Sequence, residues 1–245
     1  MEKKDKKHIS VRPRTKWRIA DVLLQLAIVI AGILVTFQGT ALINRTSQKR
    51  EVRKILVMVE DELRQNRGVL LESEFILKRE LEGMAFFARH MRDIRSANAD
   101  SVHLLVNVLD TGPGFSYGSN ALEVLKASTA SVNVMDKRLL MDIFVCYDSI
   151  GDLFSSLNYY YTQKFGLAAD FYFSTDRRTI EKHRQGDPIP YIEKYMENPG
   201  TGNLILNADI NLNGRLQAID SLNTTFGKTI EAIERYTDKR NRKTN

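Results

Sequence analysis

Residues 139–160 read L-L-M-D-I-F-V-C-Y-D-S-I-G-D-L-F-S-S-L-N-Y-Y. Leu139, Ile143, Cys146, Ile150, Leu153, Leu157 and Tyr160 follow one another by steps of four and three residues in strict alternation. An α-helix turns about 100° per residue, so this spacing lines seven side chains along one stripe, the seam of a helix packed in a bundle. The pattern carries on through Tyr161 and Phe165 towards Phe171 and Phe173. Upstream, Val52, Ile55, Leu56, Val59 and Leu63 start a second stripe that continues through Leu70, Leu77, Leu81, Met84, Ala88 and Met91. Proline is absent from Arg14 to Gly112, so one long helix is allowed there, and we expect it to end near residues 96–98. Leu212, Leu216, Ile219, Phe226, Ile230 and Ile233 mark a last helix.

The breaks fall between these stripes. A short helix over 103–109 meets Thr111-Gly112-Pro113-Gly114, and Ser119 or Asn120 is placed to cap the next, through Leu122, Val124 and Leu125. Residues 186–190 and 198–200, rich in Gly and Pro, form a second connecting region. No strand-like alternation or internal repeat stands out. The expected class is all-α: an N-terminal transmembrane helix running into an elongated antiparallel helical bundle.

The transmembrane expectation comes from Val22 to Asn44, 23 consecutive uncharged residues, most of them Leu, Ile, Val, Ala or Phe. A bilayer core of about 30 Å takes roughly 20 such residues. A cleaved signal would have a shorter apolar region of about 7–15 residues and a small-x-small site, which Phe37-Gln38-Gly39-Thr40-Ala41 does not offer. Three segments follow: a basic tail over 1–20, a span over 21–44, and a helical domain over 45–240. Eight Lys and Arg precede the span and five follow it closely (Arg45, Lys49, Arg50, Arg53, Lys54). The positive-inside rule then puts the N-terminus in the cytoplasm and the body in the periplasm or outside the cell. Within the span, Gln25, Gly32, Thr36 and Gly39 fall on one narrow strip, beginning at Asp21. Small and polar groups in such a line let helix backbones approach in lipid, so the strip is a candidate contact with a second copy or another membrane protein.

Charge separates in the same way. Of the net +6, residues 1–44 hold +5, and the remaining 201 residues carry 28 basic and 27 acidic side chains. A balanced body lacks the basic face that nucleic-acid binding requires, so no nucleic-acid partner is expected. The single cysteine, Cys146, excludes an intramolecular disulfide and lies on the seam as a small buried thiol.

Two motifs suggest chemistry. Gly114-Phe115-Ser116-Tyr117-Gly118 matches the G-x-S-x-G elbow of α/β-hydrolases, with His183 downstream. That elbow needs a strand before it and a sheet beneath it, and the chain lacks both patterns, so a Gly-rich interhelix turn is the simpler reading. Asp209-Ile210-Asn211-Leu212-Asn213-Gly214, closed by Asp220, fits a calcium loop with Asp209, Asn211, Asn213 and Asp220 as ligands. The competing reading is an Asn- and Asp-rich helix start whose Leu212, Leu216 and Ile219 serve the core. His8, His90, His103 and His183 have no metal-binding spacing, and Tyr159-Tyr160-Tyr161 wraps round a helix so that at most two rings face inward.

Ala31-Gly32-Ile33-Leu34-Val35-Thr36-Phe37-Gln38 resembles the "GILIALQ" signature of a family of uncharacterised bacterial single-span membrane-anchored helical proteins. Leu56, Leu63 and Asn66 resemble that family's run after the span, and residues 121–128 and 134–140 its entry into a second long helix. Ile230, Ile233 and Glu234 are similar to its closing helix. Gln25 stands where the family tends to have an acid, and Gly39-Thr40-Ala41-Leu42 replaces its usual exit from the span. The resemblance implies the anchored helical architecture and brings no functional residue. Together these readings point to a non-enzymatic scaffold or accessory subunit of the bacterial cell envelope. An extracytoplasmic sensor of a ligand or of calcium is the alternative.

Overall fold

The computed structural model describes the backbone of residues 14–241 and the side chains of residues 28–32 and 44–238. Among the described residues every α-helix or 3₁₀ turn belongs to an all-α fold, without strands. The chain divides into two compact units, Met1–Glu51 and Val52–Asn245. The predicted tail over 1–20 and most of the span over 21–44, with Gln25, Thr36 and Gly39, lie outside the described side chains. Among the described residues no helix is long and apolar enough to cross a membrane.

Helix α1 (Arg14–Arg89) supplies the second unit with its first long element. From residue 52 it buries Val52, Leu56, Val59, Leu63, Asn66, Leu70, Ser73, Leu77, Glu80, Met84 and Phe87. Those positions alternate steps of four and three without a break, so the seam is longer and more regular than its apolar members alone suggest. The helix stops at Arg89, earlier than expected. Local side chains compete for the backbone beyond it: Asp93 accepts from the Arg95 N–H and caps a 3₁₀ turn over Ile94–Ser96, and Asn98 accepts from Ser101 N–H to cap α2 (Ala99–Leu105).

A 3₁₀ turn (Val106–Leu109), an extended stretch, α3 (Asn120–Ala127) and α4 (Thr129–Val134) lead to α5 (Lys137–Ser174), capped by Asp136. All seven seam residues expected in α5 are buried. Helices α6 (Arg177–Arg184), α7 (Ile189–Glu197) and α8 (Pro199–Leu206) flank and overlap residues 186–190 and 198–200, read from sequence as a connection. They pack on the C-terminal turns of α5, where the Phe171 ring meets those of Tyr191 and Tyr195 at 5.1 and 4.9 Å. The last helix, α9 (Ala208–Asn241), buries Leu212, Ile219, Phe226, Ile230 and Ile233.

The direction of the helices corrects the antiparallel expectation. Glu62 of α1 meets Tyr147 of α5, and Glu80 meets Tyr160, Tyr161 and Lys164. Residue numbers rise together on both, so α1 and α5 run parallel. Helix α9 opposes both, since Arg67 meets Asn223 and Arg64 meets Glu234, while Cys146 meets Thr229 and Arg215 reaches Ser156. Parallel neighbours need a return crossing, and residues 90–136 provide it.

Candidate functional site

The two charged side chains on the seams, Glu80 and Lys164, meet at one level of the bundle. Glu80 is 4% exposed and Lys164 is fully buried. Tyr160 donates its hydroxyl to Glu80 Oε1 at 2.8 Å, Tyr161 donates to Oε2, and Lys164 Nζ lies 3.0 Å from Oε1. Lys164 Nζ also donates to the Thr111 carbonyl at 2.8 Å and sits over the Tyr161 ring. Burial pushes the Lys164 ammonium below its ordinary range, and the facing Glu80 carboxylate opposes that shift. Burial, reinforced by the same carboxylate, raises both tyrosine hydroxyls, so they stay protonated donors. A carboxylate with three donors and an ammonium with two acceptors has little capacity left to bind or transfer a proton. The arrangement joins helices.

Next to it, burial pushes the Asp110 carboxyl up, against the pull of His183 and Lys164. Tyr191 Oη stands 3.5 Å from Asp110, and the His183 ring stacks on Tyr191 at 4.5 Å. Tyr195 Oη donates to the Leu109 carbonyl at 2.7 Å.

From Thr111 the chain runs extended as a strap along the groove between α1 and α5. Asn66 pairs with both backbone groups of Gly118, donating to its carbonyl and accepting from its N–H at 2.8 Å each. Asn158 treats Phe115 the same way, at 2.9 and 3.0 Å. Each carboxamide thus takes the place of a neighbouring β-strand, satisfying backbone groups that would otherwise be orphaned. The geometry is self-consistent. Thr111 lies at the level of Glu80 and Gly118 at that of Asn66, 14 residues of helix or about 21 Å, while seven extended residues span about 23 Å. Gly112 is required by close approach, because a Cβ there would stand 2.3 Å from the Tyr161 ring. The strap ends where Glu62 accepts from the Ala121 N–H at 3.1 Å. Ser119, expected to cap α3, makes no capping bond with its side chain; the carboxylate comes from α1 instead.

These contacts decide where the sequence-predicted residues lie. Ser116 sits exposed on the strap, between the inward Phe115 and the half-buried Tyr117. Among the described residues no hydrogen bond joins it to a histidine or a carboxylate, and His183 stacks on Tyr191 instead. The segment is an extended connection, not a strand-to-helix elbow. Asp209, Asn211, Asn213 and Asp220 all belong to helix α9, and no loop is formed. Asp209 accepts from the Ile210 N–H, and the Asn211 amide donates to the Asn207 carbonyl. On a helix, residues two apart point some 200° apart, so these four side chains are not gathered as a calcium loop gathers them. Among the described residues no group of three or more His, Cys, Asp or Glu is placed to hold a metal ion. Cys146 is buried, within 3.4 Å of Thr229 Oγ1, and burial raises its thiol. Gly32 is exposed, and a Cβ added there would meet nothing within 4 Å.

Sequence reasoning passed over Ser73, Glu80 and Lys164 because they are polar, and gave Asn66 no place on the seam. The signal was present: each occupies the next step of four or three on an apolar seam. Asn158, off the seam, left no such trace.

Fold and site together define an all-α helical bundle with a buried ion pair, Glu80–Lys164, held by internal partners. No family model, curated protein or solved structure matches the chain.

Proposed function

We propose that this protein is a single-pass membrane-anchored envelope component without enzymatic activity, acting as a scaffold or accessory subunit through helix–helix association. The carrying observation is the uncharged run from Val22 to Asn44 behind a basic tail. Ile28, Val29 and Ile30 support it. They are 63, 56 and 49% exposed on consecutive positions of one helix, an arc of about 200° of uncovered apolar surface that suits lipid better than water. The basic bias before the span argues for a cytoplasmic N-terminus and an extracytoplasmic body in the inner membrane. The saturation of Glu80 and Lys164 by internal partners favours a structural use of the most buried ionised groups.

Gly32 is the residue on which the association reading turns. Among the described residues an added Cβ there meets nothing within 4 Å, and a glycine lets a partner helix approach closely. Crosslinking and pull-down from native membranes test this, comparing the wild type, Gly32→Leu, and a chain lacking residues 1–44. We expect Gly32→Leu to remain in the carbonate-resistant membrane fraction and to lose the crosslinked complex. Recovery of the same complex from all three chains would overturn the role of the span.

A further inference from the structure

Beside the Glu80–Lys164 pair, a cleft of ≈ 410 Å³ opens between α1 and the segment 104–113. Its walls are mixed, with apolar and polar side chains both lining it. Phe75 and Leu104, at its mouth, are 68 and 64% exposed, and Ile76, Val108 and Pro113 continue inward. Its polar lining includes Glu80, Arg79 and Asn107. The first is already neutralised by Lys164 and held by two tyrosines. Arg79, one residue before it, is exposed and makes no ion pair or hydrogen bond among the described residues.

Two large apolar side chains left in water, one unneutralised guanidinium and a carboxamide around a small concavity are the elements of a ligand site. Such sites enclose about 300–1,000 Å³ and fix orientation with a few polar groups on apolar walls. We infer that this cleft binds a small amphipathic monocarboxylate of the aryl-acid class. The apolar body would lie against Phe75, Leu104 and Val108, with the carboxylate on Arg79. Charge complementarity selects the anion, since among the described residues the guanidinium is the charge at the cleft without a counterion, and its planar fork matches a carboxylate. The floor is rigid. Thr111, which lines the cleft, is held through its carbonyl by Lys164, and Gly112 is pressed against Tyr161. The inference goes beyond anchoring and does not depend on it.

Equilibrium dialysis of naphthylacetate against the full chain in lipid nanodiscs, with empty nanodiscs as blank, tests the site. We expect saturable binding above the blank and weakening of about tenfold in Arg79→Gln, the loss of one charge-assisted contact. Leu104→Glu should abolish it by placing a like charge at the mouth. The neutral naphthylethanol should bind more weakly than the acid and equally to wild type and Arg79→Gln. Both substituted side chains are exposed, so circular dichroism should report unchanged folding. Uptake no greater than the blank, or an Arg79→Gln chain binding like wild type, would overturn the proposal. Equal affinity for acid and alcohol would overturn the carboxylate assignment.

Discussion

Lys164 is the residue whose environment departs furthest from its type. A lysine with no exposed surface survives because each of its strongest interactions is made by the fold: Glu80 from α1, the Thr111 carbonyl from the strap, and the Tyr161 ring from its own helix. Buried ion pairs are poor evidence of net stabilisation, but removing one partner strands the other. Lys164→Met should therefore cost about 3–5 kcal/mol of unfolding free energy in denaturant titration. Glu80→Gln in the Lys164→Met background should recover part of that loss, because the uncompensated charge disappears. Two additive losses would mean that the pair is not coupled. The residues around it also explain why no proton-transfer role is assigned: a carboxylate occupied by two tyrosines and an ammonium is a fastener.

Among the elements, the strap is the least expected. An extended segment inside a helical bundle must find partners for its backbone, and Asn66 and Asn158 supply them as paired donors and acceptors. Asn66→Ala and Asn158→Ala should each cost about 1–3 kcal/mol, since they leave part-buried backbone groups unsatisfied. Amide exchange should accelerate at Gly118 and Phe115, respectively, more than at the centre of α5. Uniform acceleration through the bundle would show instead that the strap opens only with the whole fold. Helix α6 offers a pH test. Asp176 accepts from Lys194 and caps the helix through Thr179, and these hydrogen bonds, the Lys194 one foremost, hold its carboxyl below the ordinary carboxylate range. A depressed carboxyl adds stability above its unfolded value of 3.8 and loses it as pH falls through the folded value. The melting temperature of Asp176→Asn should thus lie below wild type at neutral pH, with the gap closing under acid. A gap that widens as pH falls would contradict the assignment.

For the whole molecule, the parallel pairing of α1 and α5 matters most. Alternating steps of four and three are the same whichever way a neighbour runs, so periodicity predicts that a helix packs and leaves direction open. Direction was settled by pairings remote in sequence: Glu62 with Tyr147, and Glu80 with Tyr160 and Lys164. The all-α class, the long helices and their apolar seams could be read directly from residue spacing, because a helix stripe depends only on local geometry. The candidate site was half legible. Glu80 and Lys164 keep the step of the seams they interrupt, but a charge on an apolar stripe reads as an interruption until its partner is seen. The Gly-x-Ser-x-Gly motif and the calcium-like run erred the other way, as local patterns whose meaning depends on the strand, sheet or loop around them. Here their surroundings are a strap and a helix.

By itself, then, the sequence determined what is set by near neighbours along the chain: the long helices, their apolar stripes, and an uncharged run long enough for a bilayer. Only the tertiary structure decided the parallel course of α1 and α5, the strap between them, and the burial of Glu80 against Lys164. The physical reason is that the desolvation of a charge and the orphaning of a backbone amide are relieved by groups tens of residues away, and local spacing carries no record of them.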